Sequence, residues 1–206
     1  MKKCAYCGKD VQKGEREHVF PRCFYPESKN NSKVQRITVL SCSECNRSFA
    51  DDEAHFRNVL SIAGDPNQAK KELWEQKVLP SFSLDDGKRR MSDLISLMKP
   101  VIVQNTDRHM VYPSEDPRVL RVISKIIRGL SHYHNIETAI PEERVWCDIL
   151  KYMVPKEILS SMTEDHRESD VISYHFEVFE NNDEYSSGWI FTFYEVIKFV
   201  GAVLLE

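Results

Sequence analysis

Apolar and polar positions follow two rhythms along this chain, one with the period of a strand and one with that of a helix. Ile37-Thr38-Val39-Leu40 is a β-branched, apolar run that predicts a short strand. From Ser41 onward Phe49, Phe56, Val59, Leu60 and Ala63 recur at helical spacing, which predicts a helix with Cys45 and Asn46 near its first turn. Gly64-Asp65-Pro66 breaks that helix, and Asp65 and Pro66 supply an N-cap and a first position for a second helix running to about Val78. Pro80 is expected to stop it, because proline has no N–H to donate. Residues 80–116 are polar and punctuated by Asp85-Asp86-Gly87, Lys88-Arg89-Arg90 and Asn105-Thr106-Asp107, with Val101-Ile102-Val103 placed to pair with Met110-Val111-Tyr112 across a turn.

Asp116-Pro117 opens the clearest helix, since Val119, Leu120, Val122, Ile123, Ile126, Ile127 and Leu130 form one apolar stripe. Val145 to Met153 reads as a shorter helix. Ile172, Tyr174, Phe176 and Val178 then alternate as in a half-buried strand, and Asn181-Asn182-Asp183 turns the chain into a β-rich stretch from Trp189 to Val203 with a kink at Gly201. These elements predict an α+β protein. Residues 1–63 form an N-terminal module, 64–112 a helix and linker region, and 113–206 an accessory domain of mixed helices and a β-hairpin.

Composition fits a soluble globular chain: of 206 residues, 41% are hydrophobic and 29% charged. No run approaches the roughly 20 apolar residues of a membrane span, and the start lacks the apolar stretch of a signal peptide, so the expected compartment is the cytoplasm. Net charge is −4 but uneven, because residues 1–50 carry ten Lys and Arg against five Asp and Glu. That basic segment on an acidic body suits a local anionic ligand such as phosphate.

Six cysteines in a reducing compartment point to metal rather than disulfides, above all where four of them fall in two pairs, Cys4-x-x-Cys7 and Cys42-x-x-Cys45. Four thiolates from two tight turns make a closed tetrahedral site, the arrangement of structural zinc. The 34 residues between the pairs exceed the usual spacer of about 15–20, so they are expected to house function. Cys23 and Cys147 have no partner at ligand spacing and read as ordinary small residues.

Between the pairs lies Glu17-His18-Val19-Phe20-Pro21, and the second pair continues as Cys45-Asn46-Arg47-Ser48-Phe49. This order, C-x-x-C then [DE]-H-x-x-P then C-x-x-C-[NH], resembles the zinc-containing branch of the HNH endonuclease family over residues 4–60. The resemblance implies a ββα-metal fold in which His18 is the general base, and Glu17 and Asn46 hold a catalytic Mg²⁺ or Mn²⁺. It implies hydrolysis of nucleic acid, DNA first and RNA second, to a 5′ phosphate and a 3′ hydroxyl. The alternative is a zinc finger that binds nucleic acid or a partner without cutting. A redox role for the C-x-x-C pairs lacks the βαβ pattern that would accompany it.

The family's middle Asn falls near Ile37 here, leaving Asn30 and Asn31 as the nearest candidates. Arg22, Arg47 and Lys33, together with Arg57 and Lys29, are expected around the site as phosphate contacts. His55 lies about 13 Å along the helix from Asn46 at 1.5 Å per residue and is expected to pack rather than ligate. His132 and His134 are likewise read as structural. By resemblance alone, the setting would be phage defence or restriction, with a homodimer or an ATPase subunit as partner, and the accessory domain carries no catalytic constellation.

Overall fold

The computed structural model describes residues 2–102 and 108–205. Short strands β1 (Lys2–Lys3) and β2 (Asp10–Val11) pair across the first cysteine turn. Strands β3 (Glu15–His18) and β4 (Thr38–Ser41) form an antiparallel ribbon with Glu17 opposite Val39 and His18 opposite Thr38. One further bond, Val19 N–H to Ile37 O at 3.1 Å, carries the ladder past His18. Helices α1 (Ser43–Arg47) and α2 (Ala50–Ile62) follow, so the order is strand, strand, helix. The helix expected to run on from Ser41 is broken at Phe49, whose buried ring packs near Tyr6 at 6.4 Å and under the Arg121 guanidinium at 4.5 Å.

Pro80 does not stop the next helix. Helix α3 (Gln68–Leu73), capped by the Asn67 side chain rather than by Asp65, passes through a wide π turn at Trp74–Val78 into α4 (Leu79–Phe82). Opening the turn ahead of Pro80 relieves the clash its ring would make with the preceding turn, where its nitrogen has no proton to give. Helix α5 (Gly87–Leu97) replaces the expected polar linker. Its only buried side chain is Leu94, and Lys88 and Arg89 form the solvent side, a stripe too thin to stand out in the sequence. Strands β5 (Lys99–Ile102) and β6 (Arg108–Val111) pair as expected, while Val103 and the Asn105-Thr106-Asp107 turn lie outside the described residues.

Helix α6 (Pro117–Tyr133) starts where Asp116 caps it, its carboxylate accepting from the Arg118 N–H at 2.9 Å. The Val145–Met153 segment is not a helix: strand β7 (Val145–Ile149) pairs with the last strand of the chain. Val145, Cys147 and Ile149 pack on the core at a spacing of two, and pairing with the sheet satisfies a backbone too short to be stable as a lone helix. Helix α7 (Lys156–Ser161) leads into β8 (Thr163–Glu168), β9 (Ile172–Val178), β10 (Tyr185–Phe193) and β11 (Ile197–Leu204). The five-stranded antiparallel sheet has the order β7-β11-β10-β9-β8.

The stretch expected from Trp189 to Val203 is thus two strands, split by Tyr194 and Glu195 with φ of 48° and 67°. No glycine marks that turn, which hid it in the sequence. Gly201 is not a kink but a straight position in β11, where a Cβ would lie 2.4 Å from Ile127 Cδ1 and 3.0 Å from Trp146 O. Its missing side chain lets α6 lie across the sheet.

Helix α6 is the centre of the molecule, packing against α2 and β4 on the N-terminal side and β7 and β11 on the other. Val122, Ile123, Ile126, Ile127 and Leu130 are fully buried between them. One apolar core runs through both halves, for instance from Phe24 to Phe56 (5.3 Å, edge to face) and on to Phe199 (5.4 Å), so it crosses the boundary expected at residue 63. Among the described residues no helix is long and apolar enough to cross a membrane. Replacing Gly201 with Val is expected to lower unfolding free energy by about 1–3 kcal/mol, the usual cost of overpacking. Denaturant unfolding measures it, and unchanged stability would contradict the close contact of α6 and β11.

Candidate functional site

Two cysteine turns converge at one end of the ribbon. Gly8, at φ 69°, lets the chain reverse after Cys7, and its N–H bonds Cys4 O at 3.0 Å. Cys42 caps α1, its sulfur accepting from the Cys45 N–H at 3.5 Å. The four sulfurs of Cys4, Cys7, Cys42 and Cys45 all lie within 4.8 Å of one another, with Cys7 and Cys42 at 3.8 Å. Tetrahedral thiolates at about 2.3 Å from a zinc ion would be spaced about 3.8 Å apart, so the cluster has the size such an ion needs. Burial raises the Cys4 thiol, but backbone N–H groups of Cys42, Cys7 and Tyr6 outweigh it and bring it down to about 7. Cys45 is pushed up, by burial first and then by its contact with Cys42.

Strand alternation sends Glu15 and Glu17 to one face of the ribbon and Arg16 and His18 to the other. Glu17 is buried, and its Oε1 accepts a hydrogen bond from the Lys125 ammonium on α6. The same ammonium donates to Glu53 Oε1 of α2 at 2.5 Å and to His18 O at 3.4 Å. Burial raises the Glu17 carboxyl above its ordinary value, with Lys125 pulling against it. Lys125 is itself 0% exposed.

His18 is half-buried, and its Nδ1 is buried without a hydrogen-bond partner. Burial lowers its pKa, and Arg22, Arg36, Lys125 and Arg16 lower it further. The ring is therefore neutral at pH 7 and sits in a positive field, the state a general base for a phosphate ester requires.

Glu17 and Asn46, the expected metal ligands, each hold another partner. Asn46, on α1 behind Cys45, donates from Nδ2 to Glu15 Oε2 at 2.5 Å, while Glu17 is committed to Lys125. Among the described residues the four cysteines are the only group of three or more Cys, His, Asp and Glu at metal-binding distance. Glu17 and Glu53 do converge on a cation, and that cation is the Lys125 ammonium.

Other expected contacts are dispersed. Arg22, Lys33 and Arg47 are exposed, and Arg22 stands near enough to act on His18. Arg57 instead forks onto Asn58 Oδ1 at 2.8 and 3.1 Å, and Lys29 pairs with Asp170 at 2.7 Å. His55 bonds the Tyr112 hydroxyl at 2.7 Å and lies 3.4 Å from Asp116, a packing role as expected. His132 meets Thr138 Oγ1 at 3.0 Å, and His134 meets the Tyr174 hydroxyl at 2.9 Å over the Phe176 ring. Burial pushes the thiols of Cys23 and Cys147 up to about 12, which keeps them unreactive.

Sequence reasoning missed Lys125, Glu53, Arg16 and Arg36. The signal for Lys125 was a lysine set among Val122, Ile123, Ile126 and Ile127, and Arg16 lies two residues before His18, on its face of the strand.

His18 also predicts a pH dependence. Because its folded pKa is depressed, the unfolded chain takes up the proton first, so stability is full above about pH 6.5 and declines as pH falls below it. His55, His132 and His134 shift the same way, each chiefly by burial. Replacing His18 with Asn is expected to make the decline in melting temperature between about pH 7 and 5 shallower. An unaltered slope would mean that the ring titrates alike in folded and unfolded chains.

Compared with known proteins, the chain matches no family model, no curated protein and no solved structure.

Proposed function

We propose that this chain is a nucleic-acid phosphodiesterase of the HNH type, stapled by one structural zinc on Cys4, Cys7, Cys42 and Cys45, with His18 as its general base. The observation that carries the reading is His18 itself. It ends the first strand of a ribbon-then-helix unit, half-buried with Nδ1 unpartnered, its pKa lowered by burial and then by Arg22, Arg36, Lys125 and Arg16. A purely structural finger has no use for a neutral imidazole in a cationic setting.

In the reaction, a phosphodiester lies against the exposed Arg16 and Arg22, which offset its charge and place it without reading base sequence. The neutral ring of His18 takes a proton from water. The water oxygen bonds to phosphorus as the bond from phosphorus to the 3′ oxygen breaks. A proton returns to that oxygen, leaving a 3′ hydroxyl and a 5′ phosphate. Cys4, Cys7, Cys42 and Cys45 would hold a structural zinc, which would fix the two turns between which β3 and β4 run. A divalent metal on Glu17 and Asn46 would supply charge neutralisation; with both side chains otherwise engaged, no step here is assigned to it.

A second reading is favoured by those same engagements: a zinc-stapled module that binds nucleic acid or a partner and does not cut. The two separate on supercoiled plasmid, single-stranded DNA and RNA, incubated with the full chain and with His18→Ala after zinc content is checked by mass spectrometry. Cleavage by the wild type that falls at least about a hundredfold in His18→Ala, the usual range for a lost general base, is expected. Binding without cleavage by a folded, zinc-loaded protein would leave the second reading standing alone.

A further inference from the structure

The ammonium of Lys125 has three N–H donors and meets three oxygens: Glu17 Oε1 and His18 O from β3, and Glu53 Oε1 from α2. Every donor is therefore satisfied at a point with no exposure to water. The ring of Phe49 lies below at 5.6 Å from Nζ and closes the remaining side. Two carboxylates and a carbonyl converging from the ribbon and the following helix make a cation site, and its occupant is a side chain of α6.

Lys125 cannot withdraw by itself. Three residues on, Arg128 donates to Ile140 O at 2.7 Å and Tyr6 O at 2.8 Å, tying α6 to the first cysteine turn. At Gly129 a Cβ would lie 3.0 Å from Tyr6 Oη and from both Val19 methyls, so the helix backbone rests directly on the residue after His18. A divalent ion bridging Glu17 Oε1 and Glu53 Oε1 would have to displace an ammonium whose helix is held on both sides, and would then leave that charge unpaired in the interior.

We propose that Lys125 is the resident cation of the site, bridging Glu17, the carboxylate expected to hold a divalent metal, and Glu53, so that chemistry at His18 proceeds without a catalytic metal. This rests on the reading of His18 as the base. Lys125 acts as a positioning residue: it holds the His18 carbonyl, and with it the backbone that aims the ring, against the two carboxylates. Cutting by the isolated N-terminal segment is not expected, since the cation comes from residue 125.

The experiment reads metal uptake rather than turnover. Mn²⁺ is titrated into the zinc-loaded full chain and into Glu17→Gln, with free Mn²⁺ followed by electron paramagnetic resonance. In parallel the native wild type is treated with acetic anhydride, with and without millimolar Mn²⁺, and Lys125 is scored by mass spectrometry. Expected are no Mn²⁺ uptake that depends on Glu17, and a Lys125 amine protected under both conditions. Uptake equal in wild type and Glu17→Gln comes from other carboxylates and supports the assignment equally. A stoichiometric site lost in Glu17→Gln, or labelling of Lys125 that appears only with Mn²⁺, overturns it. Neither readout needs cleavage, so failure of the nuclease reading shows separately in the nucleic-acid assay.

Discussion

A lysine ammonium buried away from water holds this structure in its arrangement. Lys125 is tolerable in the interior only because Glu17 and Glu53 face it, and those carboxylates are tolerable only because Lys125 faces them. The three come from α6, β3 and α2, so one charge cluster fixes how the central helix meets the ribbon and the helix that follows it. The apolar contacts agree with that placement. Ile127 faces Gly201 of the sheet while Gly129 faces Val19 of the ribbon, and the helix can satisfy both only in this register. Such a cluster contributes more to specificity of packing than to net stability, since apolar residues of like volume would often serve as well.

The same helix decides what the His18 face can do. Strand geometry turns Glu17 inward to the helix and His18 outward to the arginines, so the two neighbours in sequence do different work. The inward residue anchors the helix, and the outward one lies half-buried on the opposite face. The cysteine cluster stands behind both, closing the ends of the segments that lead into β3 and out of β4.

Much of this was legible in the chain itself. The Asp116-capped stripe of α6 and strand β9 follow from periodicity, because each buries one full face and so repeats its apolar residues regularly, and the strand at Thr38–Ser41 follows from its β-branched apolar run. The cysteine cluster follows from spacing. What escaped was decided by distant partners. Val145–Ile149 is a strand because β11 offers it an edge, β8 is polar because it is an edge, and the turn at Tyr194 and Glu195 takes left-handed backbone without glycine. The partners of Glu17 escaped for the same reason, as Lys125 lies 108 residues away. Motif spacing names the residues of a site; it does not say which of them the rest of the chain has already claimed.

A double-mutant cycle on Glu17→Gln and Lys125→Met, followed by denaturant unfolding of the full chain, tests the central claim most directly. The buried pair predicts a coupling of at least about 1.5 kcal/mol, because once one partner is gone much of the cost of losing the other is already incurred. Effects that simply add, within about 0.5 kcal/mol, would contradict it and leave α6 positioned by apolar packing alone.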